Sequence, residues 1–516
     1  MNNKKLSTMR GQRSVAKNQS VSVALLVLPL LASATTVRAQ SVSKLQSVNK
    51  PNVLLIMVDD LRPDLGCYGN PIIKTPHFDQ LAAQGRVFTR QYANVPTCGA
   101  SRHCLLTGKL PHSRAALTNE VANKFIANQP LTGVPETFVD NLRRHGYYTV
   151  GIGKISHSAD GYLYDYNQPK SNSRELPYSW NEMLFDPGKW RTGWNAFFGY
   201  ADGSDRTAMK SMVKPYENGK VGDEGYPDGL TAQLAVQQLE KLGKNKQPFV
   251  LGVGFFKPHL PFTAPKKYWD LYDEASLPLT PSPDIPENVN IASLTRSNEF
   301  NSYKLGEEKP ALSQPVSPAY ARRLIRGYYA SVSYIDAQAG RVLAALKKQG
   351  LDKNTIVVVW GDHGWNLGDH RGWGKHTLSE RSLRSALIVK TPVMKTGQTT
   401  DGIVSGVDLY PTLMELCGVP MPYAGEGKSY AALLSEDMPP ATDNVAYGYF
   451  NNGITMRTSR YRLTRYFRQQ QPLIELYDHQ NDPNENRNIA AEKPEIVAQL
   501  LPRLEKGDTG LYRTKE

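Results

Sequence analysis

The stretch Pro51-Asn52-Val53-Leu54-Leu55-Ile56-Met57-Val58-Asp59-Asp60 predicts how this chain folds. Its six consecutive apolar residues are typical of a parallel strand that is buried on both faces of a sheet. Further strand patterns occur at residues 149–153, 249–256 and 355–360, and helical patterns separate them. This alternation predicts an α/β fold, with a parallel sheet layered between helices.

The rest of the chain divides into segments of different composition. Residues 158–229 are rich in Gly, Asp, Asn, Tyr and Trp, which indicates a long inserted loop with little regular structure. We expect helices near residues 75–83, 134–145, 230–242, 320–348 and 408–416. Short strands at 446–450, 461–466 and 474–477 and a helix at 494–504 predict an antiparallel sheet in a smaller C-terminal α+β subdomain. We therefore place the main domain at residues 51–434 and the subdomain at 435–516.

The N-terminal residues have the pattern of an export signal. Basic residues precede an apolar run at 21–31, which is too short to span a bilayer, and Val37-Arg38-Ala39 ends like a cleavage site. We predict a signal peptide at 1–39, a linker at 40–50 and export to a bacterial periplasm, with no stable membrane insertion after cleavage. The formal net charge is +13, and six of the positive charges lie in the predicted signal peptide, which leaves about +7 on the mature chain. This mild excess suits an anionic substrate, but solvated surface charge explains it equally well. No basic module indicates nucleic-acid binding.

Polar side chains follow each of the four predicted strands. In an open parallel sheet, ligands bind beyond the carboxyl ends of the strands, so these side chains are expected at one edge. They are Asp59 and Asp60 after the first strand, Lys154 and His157 after the second, Lys257 and His259 after the third, and Asp362 and His363 after the fourth.

The acids in this set predict a metal site. The carboxylates of Asp59, Asp60 and Asp362 offer hard oxygen ligands that suit Ca²⁺ or Mg²⁺. A histidine nitrogen from His363 is less usual for calcium and leaves zinc or manganese open. Adjacent carboxylates at a strand end repel each other unless a cation lies between them.

A second motif is Pro96-Thr97-Cys98-Gly99-Ala100-Ser101-Arg102, and a helix is expected from Ser101 to near Gly108. Cys98 then lies at a helix N-terminus, where backbone N–H groups favour an anion. Taken alone, the motif also fits a buried cysteine beside a surface arginine.

The order of these motifs resembles the type I, formylglycine-dependent sulfatases. The matching elements are Val-Asp-Asp, C-G-A-S-R followed by Thr-Gly, Gly-Lys-x-x-His, Lys-Pro-His, Asp-His-Gly and Trp373-Gly374-Lys375. Ala100 replaces the proline that many members carry. The Lys-Pro-His and Asp-His-Gly-Trp forms resemble the iduronate sulfatase branch in particular.

The resemblance implies an alkaline-phosphatase-like fold, with a mixed, mostly parallel sheet, in which residues 51–434 form the catalytic domain. It also implies one bound Ca²⁺ and oxidation of Cys98 to formylglycine by a formylglycine-generating or equivalent maturing enzyme. The implied metal ligands are Asp59, Asp60, Cys98, Asp362 and His363. Once Cys98 is modified, Cys67, Cys104 and Cys417 can form at most one disulfide.

The resemblance also implies the roles of the other site residues. Arg102 would fix the formylglycine hydrate, and Lys154, Lys257 and Lys375 would contact the sulfate oxygens. His157 would act as the base when the covalent intermediate breaks down, and His259 would be the acid for the leaving alcohol.

We therefore expect a sulfuric ester hydrolase that acts on a sulfated carbohydrate. Aromatic residues of the insertion could stack on sugar rings or pack the insertion onto the core. Among the other side chains, Arg191 and Arg371 could bind a second anionic group, His370 and His376 could touch substrate, and His112 is expected at the surface. The alternatives are a phosphatase or phosphonate monoester hydrolase of the same superfold, and a metal-binding surface protein without activity. The aromatic residues of the insertion to which the two explanations above apply are Tyr162, Tyr164, Tyr166, Trp180, Trp190 and Trp194.

Overall fold

Strand β1 (Asn52–Val58) lies in the interior of an eight-stranded sheet, and all seven of its residues are buried. Its alternate side chains point to opposite faces: Leu54, Ile56 and Val58 belong to one hydrophobic core, and the intervening side chains belong to another. Burial of each such side chain contributes about 1.5–3 kcal/mol. The unbroken apolar run is therefore explained by helices that cover both faces of the sheet. The computed structural model describes residues 50–121, 135–437 and 443–512.

The strands and helices alternate through most of the described chain. The strands after β1 are β2 Arg86–Phe88, β3 Gln91–Tyr92, β4 Tyr148–Gly153, β5 Glu182–Leu184, β6 Tyr216–Gly219, β7 Phe249–Phe255, β8 Phe262–Pro265, β9 Thr355–Gly361, β10 Asn366–Leu367, β11 Trp373–Gly374, β12 Arg384–Ser385, β13 Leu387–Lys390, β14 Gln398–Thr400, β15 Val404–Ser405, β16 Ala446–Phe450, β17 Gly453–Arg457, β18 Tyr461–Tyr466 and β19 Ile474–Asp478. The α-helices are α1 Pro76–Ala82, α2 Cys98–Thr107, α3 Phe138–Arg144, α4 Gly193–Phe197, α5 Pro227–Leu242, α6 Lys266–Trp269, α7 Asn298–Asn301, α8 Pro318–Lys348, α9 Glu380–Leu383, α10 Leu409–Cys417 and α11 Pro494–Glu505.

The central sheet has the order β14-β2-β13-β9-β1-β7-β4-β5. Its neighbours are parallel except for β13, which is antiparallel to both β9 and β2. The predicted α/β class with a mixed, mostly parallel sheet is therefore confirmed. The long helix α8 packs on α5 and α1 on one face of the sheet. Its start is fixed by Ser317, whose hydroxyl accepts a hydrogen bond from the backbone N–H of Tyr320.

The insertion at 158–229 contains more regular structure than we expect from the sequence. Strand β5 pairs in parallel with β4 and extends the central sheet, and β6 pairs in parallel with β8. Helix α5 begins at Pro227, three residues before the predicted start, because proline is well suited to the first turn. Strands of three or four residues have no periodicity of their own, so the composition of this segment conceals them.

The C-terminal sheet is an antiparallel meander in the order β16-β17-β18-β19. Strand β17 was missing from the predicted set, and α11 covers the sheet through Leu500 and Leu504, which pack in a separate hydrophobic cluster with Ile454 and Leu463. The smaller α+β part of the predicted fold is therefore present. The boundary at residue 435 stays a prediction, since the described residues belong to one compact unit.

Three other predictions concern the termini and the cysteines. The signal peptide at 1–39 and all of the linker except Lys50 lie outside the described residues. Within the described ranges, no helix is long and apolar enough to cross a membrane. All four cysteines are free thiols, so the single disulfide that the count allows is not formed here.

Candidate active site

Four adjacent parallel strands carry the predicted site residues to one edge of the sheet. The order β9-β1-β7-β4 contains only parallel neighbours, so the residues that follow these strands share that edge. The backbone N–H of Asp60 donates to Asp362 Oδ1 at 3.0 Å, which joins the ends of β1 and β9. Both carboxylates are fully buried.

Cys98 begins helix α2, three residues before the predicted start at Ser101, and faces this edge. Its side chain is 3% exposed, and its Sγ lies 3.3 Å from His363 Nε2 and 3.3 Å from Lys375 Nζ. Gly99 is required next to it, because a Cβ there would lie 2.4 Å from the backbone oxygen of Asn119. Burial raises the pKa of the Cys98 thiol to about 12. The thiol is therefore protonated at neutral pH.

Arg102 lies one helical turn after Cys98 and connects three strand ends. Its guanidinium is fully buried. The Nε donates to Asp362 Oδ2 at 2.9 Å, Nη1 donates to the carbonyl oxygen of Lys154 at 2.5 Å, and Nη2 lies 3.8 Å from Asp59 Oδ1. The spacing of Cys98 and Arg102 thus puts both side chains at the same edge of the sheet.

Two buried lysines flank the carboxylates. Lys154 Nζ donates to Asp59 Oδ2 at 2.5 Å, and Lys375 Nζ donates to Asp60 Oδ1 at 2.8 Å. Lys154 can reach this position because Gly254 has no side chain: a Cβ there would lie 1.9 Å from the carbonyl oxygen of Lys154. Burial would raise the pKa of Asp59, but the charges of Lys154, His259 and Arg102 hold it well below its usual range.

The residues at this edge fit a divalent cation. One ligand atom each from Asp59, Cys98, Asp362 and His363 lie within 4.8 Å of one another. Asp59 Oδ1 and Asp60 Oδ2 are buried without a hydrogen-bond partner among the described residues, and such carboxylate oxygens are the ligands that hard cations prefer. Asp60 lies beside the four-residue cluster, with its Oδ1 3.3 Å from His363 Nδ1. Its φ of 60° is rare for a residue with a side chain.

The predicted histidines and the third lysine lie in the same region. His157 is half-buried, its ring centroid is 5.2 Å from that of Trp194, and its Nδ1 has no hydrogen-bond partner among the residues that the structure describes. Burial and the charge of Lys154 lower its pKa well below the usual value. Lys257 Nζ donates to the carbonyl oxygens of His259 and Pro261, both at 2.8 Å, and burial lowers its pKa to about 7.

Glu299 is a site residue that sequence reasoning missed. Its Oε1 lies 2.7 Å from His259 Nε2, and its Oε2 lies 3.6 Å from Lys375 Nζ. His259 Nδ1 is 2.7 Å from the carbonyl oxygen of Leu260, so both ring nitrogens are engaged. Glu299 belongs to the one-turn helix α7 in a proline-rich loop, and no motif in the sequence marks that position. Its carboxylate bridges two groups that we predict to bind the substrate.

The insertion places one large aromatic ring at the surface. Tyr166 is 38% exposed and meets Trp194 and Phe198 edge to face, at centroid distances of 4.5 and 5.2 Å. Tyr164, Trp190 and Trp194 are buried with Phe197 in one cluster, and Trp180 packs in the core under the sheet. Packing therefore explains these four rings, whereas the ring of Tyr166 is partly exposed.

The remaining candidate residues have other roles or positions. Arg371 donates to the carbonyl oxygens of Leu312 and Ser313, so it fixes a loop. His370 is buried and its backbone N–H donates to the carbonyl oxygen of Ser282. His376 is half-buried and stacks on Phe450 at 5.7 Å. The two residues at the surface are Arg191, which is exposed, and His112, which binds Glu426 at 2.8 Å.

Comparison with known proteins identifies the family. The family model described as Sulfatase matches residues 51–419. The chain belongs to the sulfatase family. A second model, described as N-sulphoglucosamine sulphohydrolase, C-terminal, matches residues 368–509. The chain is thus an enzyme that hydrolyses sulfate esters.

The relatives of this sulfatase agree with the resemblance seen in the sequence. Human iduronate 2-sulfatase is 30% identical over 435 residues, which cover 77% of this chain and 74% of the relative. A sulfatase of Formosa agariphila is 30% identical over 478 residues, which cover 89% of this chain and 87% of the relative. The predicted type I sulfatase with iduronate sulfatase-like relatives is therefore confirmed.

Solved structures support the fold. A protein in complex with its substrate D-glucosamine-2-N,6-O-disulfate has a TM-score of 0.65 at 22% identity, over 89% of this sulfatase and 98% of that chain. A phosphonate monoester hydrolase of Agrobacterium radiobacter has a TM-score of 0.70 at 22% identity, over 88% of this sulfatase and 95% of that chain. The predicted alkaline-phosphatase-like fold is therefore confirmed. The phosphonate hydrolase shares the fold alone, so the alternative activity has less support.

Proposed function

We propose that this sulfatase removes sulfate from a sulfated carbohydrate, with a formylglycine made from Cys98 as its nucleophile. One observation carries the proposal. Cys98 Sγ lies within 3.3 Å of both His363 and Lys375, one helical turn before the buried Arg102. A protonated thiol is a poor nucleophile, whereas an aldehyde hydrate at the same position would have a hydroxyl directed at this pocket. A maturing enzyme would oxidise Cys98.

The metal of this proposal is one Ca²⁺. Asp59, Asp60, Asp362 and His363 would hold it together with the oxidised Cys98, and the buried carboxylate oxygens without hydrogen-bond partners support this choice. When bound, the ion supplies positive charge that polarises the sulfate and the attacking hydroxyl.

The lysines and Arg102 prepare the pocket for an anion. A sulfate ester repels a nucleophile, so its oxygens need positive charge that is already in place. Asp59 and Asp60 pair with Lys154 and Lys375 and thereby position both ammonium groups at the pocket. Lys257 would add a third contact with the sulfate, although its ammonium here donates to two backbone carbonyls.

The histidines would move the protons. The formylglycine hydrate supplies one hydroxyl for attack on sulfur and a second whose deprotonation releases sulfate and restores the aldehyde. His157 would take that second proton, and its Nδ1 has no partner in the described chain. His259 would protonate the leaving alcohol, and Glu299 orients its ring.

The substrate class is proposed from an exposed aromatic ring of the insertion and from the relatives. Tyr166, which is 38% exposed, would stack on a sugar ring. Relatives named iduronate 2-sulfatase and a structural neighbour with a disulfated glucosamine as its substrate support a sugar sulfate. Export to a bacterial periplasm would suit an enzyme that scavenges glycans.

Hydrolysis of 4-nitrophenyl sulfate by a Cys98→Ala variant tests the nucleophile. We expect no measurable turnover and an unchanged melting temperature. Cys104→Ala is the matched control, because Cys104 is buried in the same helix and packs in a hydrophobic cluster with Val95 and Val407. It should keep its activity. Turnover by Cys98→Ala would refute the assignment, and faster hydrolysis of 4-nitrophenyl phosphate than of the sulfate would favour the phosphatase alternative.

A further inference from the structure

A cavity of about 490 Å³ is lined by residues near β12 and near the turn between β17 and β18, and four of its lining residues are arginines. Arg90 lies between β2 and β3, and Arg384 begins β12, whereas Arg457 and Arg460 lie at the turn between β17 and β18. None of these residues belongs to the catalytic site described above. A volume in this range is sufficient for a sugar-sized ligand.

Two of the four guanidinium groups are neutralised by acids. Arg460 binds Asp478 through two hydrogen bonds, at 2.8 and 2.7 Å. Arg457 Nε donates to Glu380 Oε2 at 3.1 Å, and the other oxygen of Glu380 accepts from the hydroxyl of Tyr92. These ion pairs form one wall of the cavity and leave little charge on it.

Of the other two guanidinium groups, that of Arg384 has no ion pair within the described ranges, and that of Arg90 has a long and exposed one. Arg384 Nε donates to the carbonyl oxygen of Thr89 at 2.7 Å, and within the described ranges no carboxylate oxygen lies within 4.0 Å of its nitrogens. Arg90 Nη1 lies 3.7 Å from Asp401, which is 63% exposed. Such an exposed, long ion pair contributes little. Both arginines border the same cavity and are linked through Thr89, so their free N–H groups form a cationic wall.

We propose that this cavity binds a sulfate group, either carried on a glycan or as free inorganic sulfate. Guanidinium groups suit oxyanions because they donate two parallel hydrogen bonds. The reaction releases sulfate, and sulfated glycans carry further sulfate groups along the chain. The glycan as carrier rests on the proposed function, whereas oxyanion binding by the arginines does not.

The test compares Arg384→Met and Arg384→Lys with the control Arg465→Met. Arg465 is 44% exposed, lies 3.6 Å from Glu505 and packs over the ring of Phe467 at 5.2 Å, so the control removes one positive charge away from the cavity. Binding of sodium sulfate and of a chondroitin sulfate hexasaccharide is measured by calorimetry in the full-length Cys98→Ala protein, which should not turn the ligands over. Turnover of 4-nitrophenyl sulfate is measured in the matured enzyme.

Arg384→Met should weaken binding at least about tenfold, the size of a charge-assisted contact, with Arg384→Lys intermediate and Arg465→Met unchanged. Weaker binding of the hexasaccharide by Arg384→Met supports a glycan-borne sulfate group. Weaker binding of sodium sulfate alone supports free sulfate as the ligand. Equal binding by Arg384→Met and Arg465→Met would overturn the proposal. So would a parallel fall in kcat/KM for 4-nitrophenyl sulfate, because the lost affinity would then belong to the catalytic site. Failure of the proposed function would instead appear as a matured enzyme without turnover.

Discussion

Replacement of Arg102 by methionine should strongly destabilise the fold. The guanidinium is fully buried and contacts Asp362 at 2.9 Å, Asp59 at 3.8 Å and the carbonyl oxygen of Lys154 at 2.5 Å. One hydrogen bond to a charged group contributes about 1.5–3 kcal/mol. Removing one partner of a buried ion pair costs about 3–5 kcal/mol, because the other charge stays buried. Because two carboxylates are left unpaired, we expect the free energy of unfolding to fall by about 4–5 kcal/mol, the upper end of this range.

Urea unfolding of the wild type and of Arg102→Met measures this loss, once in EDTA and once in Ca²⁺. A bound cation would compensate part of the carboxylate charge that Arg102→Met leaves unpaired, so the loss of unfolding free energy should be larger in EDTA. Arg322→Met is the control: Arg322 donates to the carbonyl oxygen of Leu277, with no carboxylate oxygen within 4.0 Å in the described chain. Arg322→Met should lower the free energy of unfolding by no more than about 1.5 kcal/mol. If Arg102→Met cost no more than Arg322→Met, the account of Arg102 as the link between the strand ends would be wrong.

Three further predictions concern the site and its surroundings. Gly254→Ala would put a Cβ 1.9 Å from the carbonyl oxygen of Lys154, so steady-state kinetics should show a fall in kcat/KM of at least about tenfold as that lysine moves; unchanged kinetics would contradict the packing. Glu299→Gln removes a carboxylate whose Oε2 lies 3.6 Å from Lys375 Nζ and which competes with the substrate for that ammonium, so KM for 4-nitrophenyl sulfate should fall about threefold to tenfold, and a rise would count against this role. Burial would raise the pKa of Glu380, but the charge of Arg457 lowers it from 4.5 to about 2. Its stabilising effect is therefore complete above pH 4.5 and is lost as the pH falls toward 2. Glu380→Gln should thus flatten the acid dependence of the free energy of unfolding between these values, by at most about 1.4 kcal/mol per pH unit, and an unchanged slope would contradict the shift.

The buried strands could be predicted because their apolar runs carry the information locally. Strand β1 and strand β9 each lie within one residue of the predicted bounds, and β16 and β18 match them. The antiparallel strand β13 could not be recognised, because four residues fix neither a strand nor its direction. Its pairing depends on β9, which is distant in the sequence.

The site was predictable where it follows a strand and unpredictable where a loop returns to it. Asp59, Asp362 and Cys98 are marked by a strand end or a helix start, and the structure brings them together. Glu299 reaches His259 through a loop whose path is determined by tertiary contacts. For the same reason the sequence could not show that Arg371 fixes a neighbouring loop.

The central claim is that Cys98 becomes the nucleophile of a cationic pocket. Mass spectrometry of the peptide that contains Cys98, from protein produced together with a maturing enzyme, tests it most directly. We predict the mass expected when the CH₂–SH group has become an aldehyde, in the same preparation that hydrolyses 4-nitrophenyl sulfate. An intact thiol in a fully active preparation would contradict the claim.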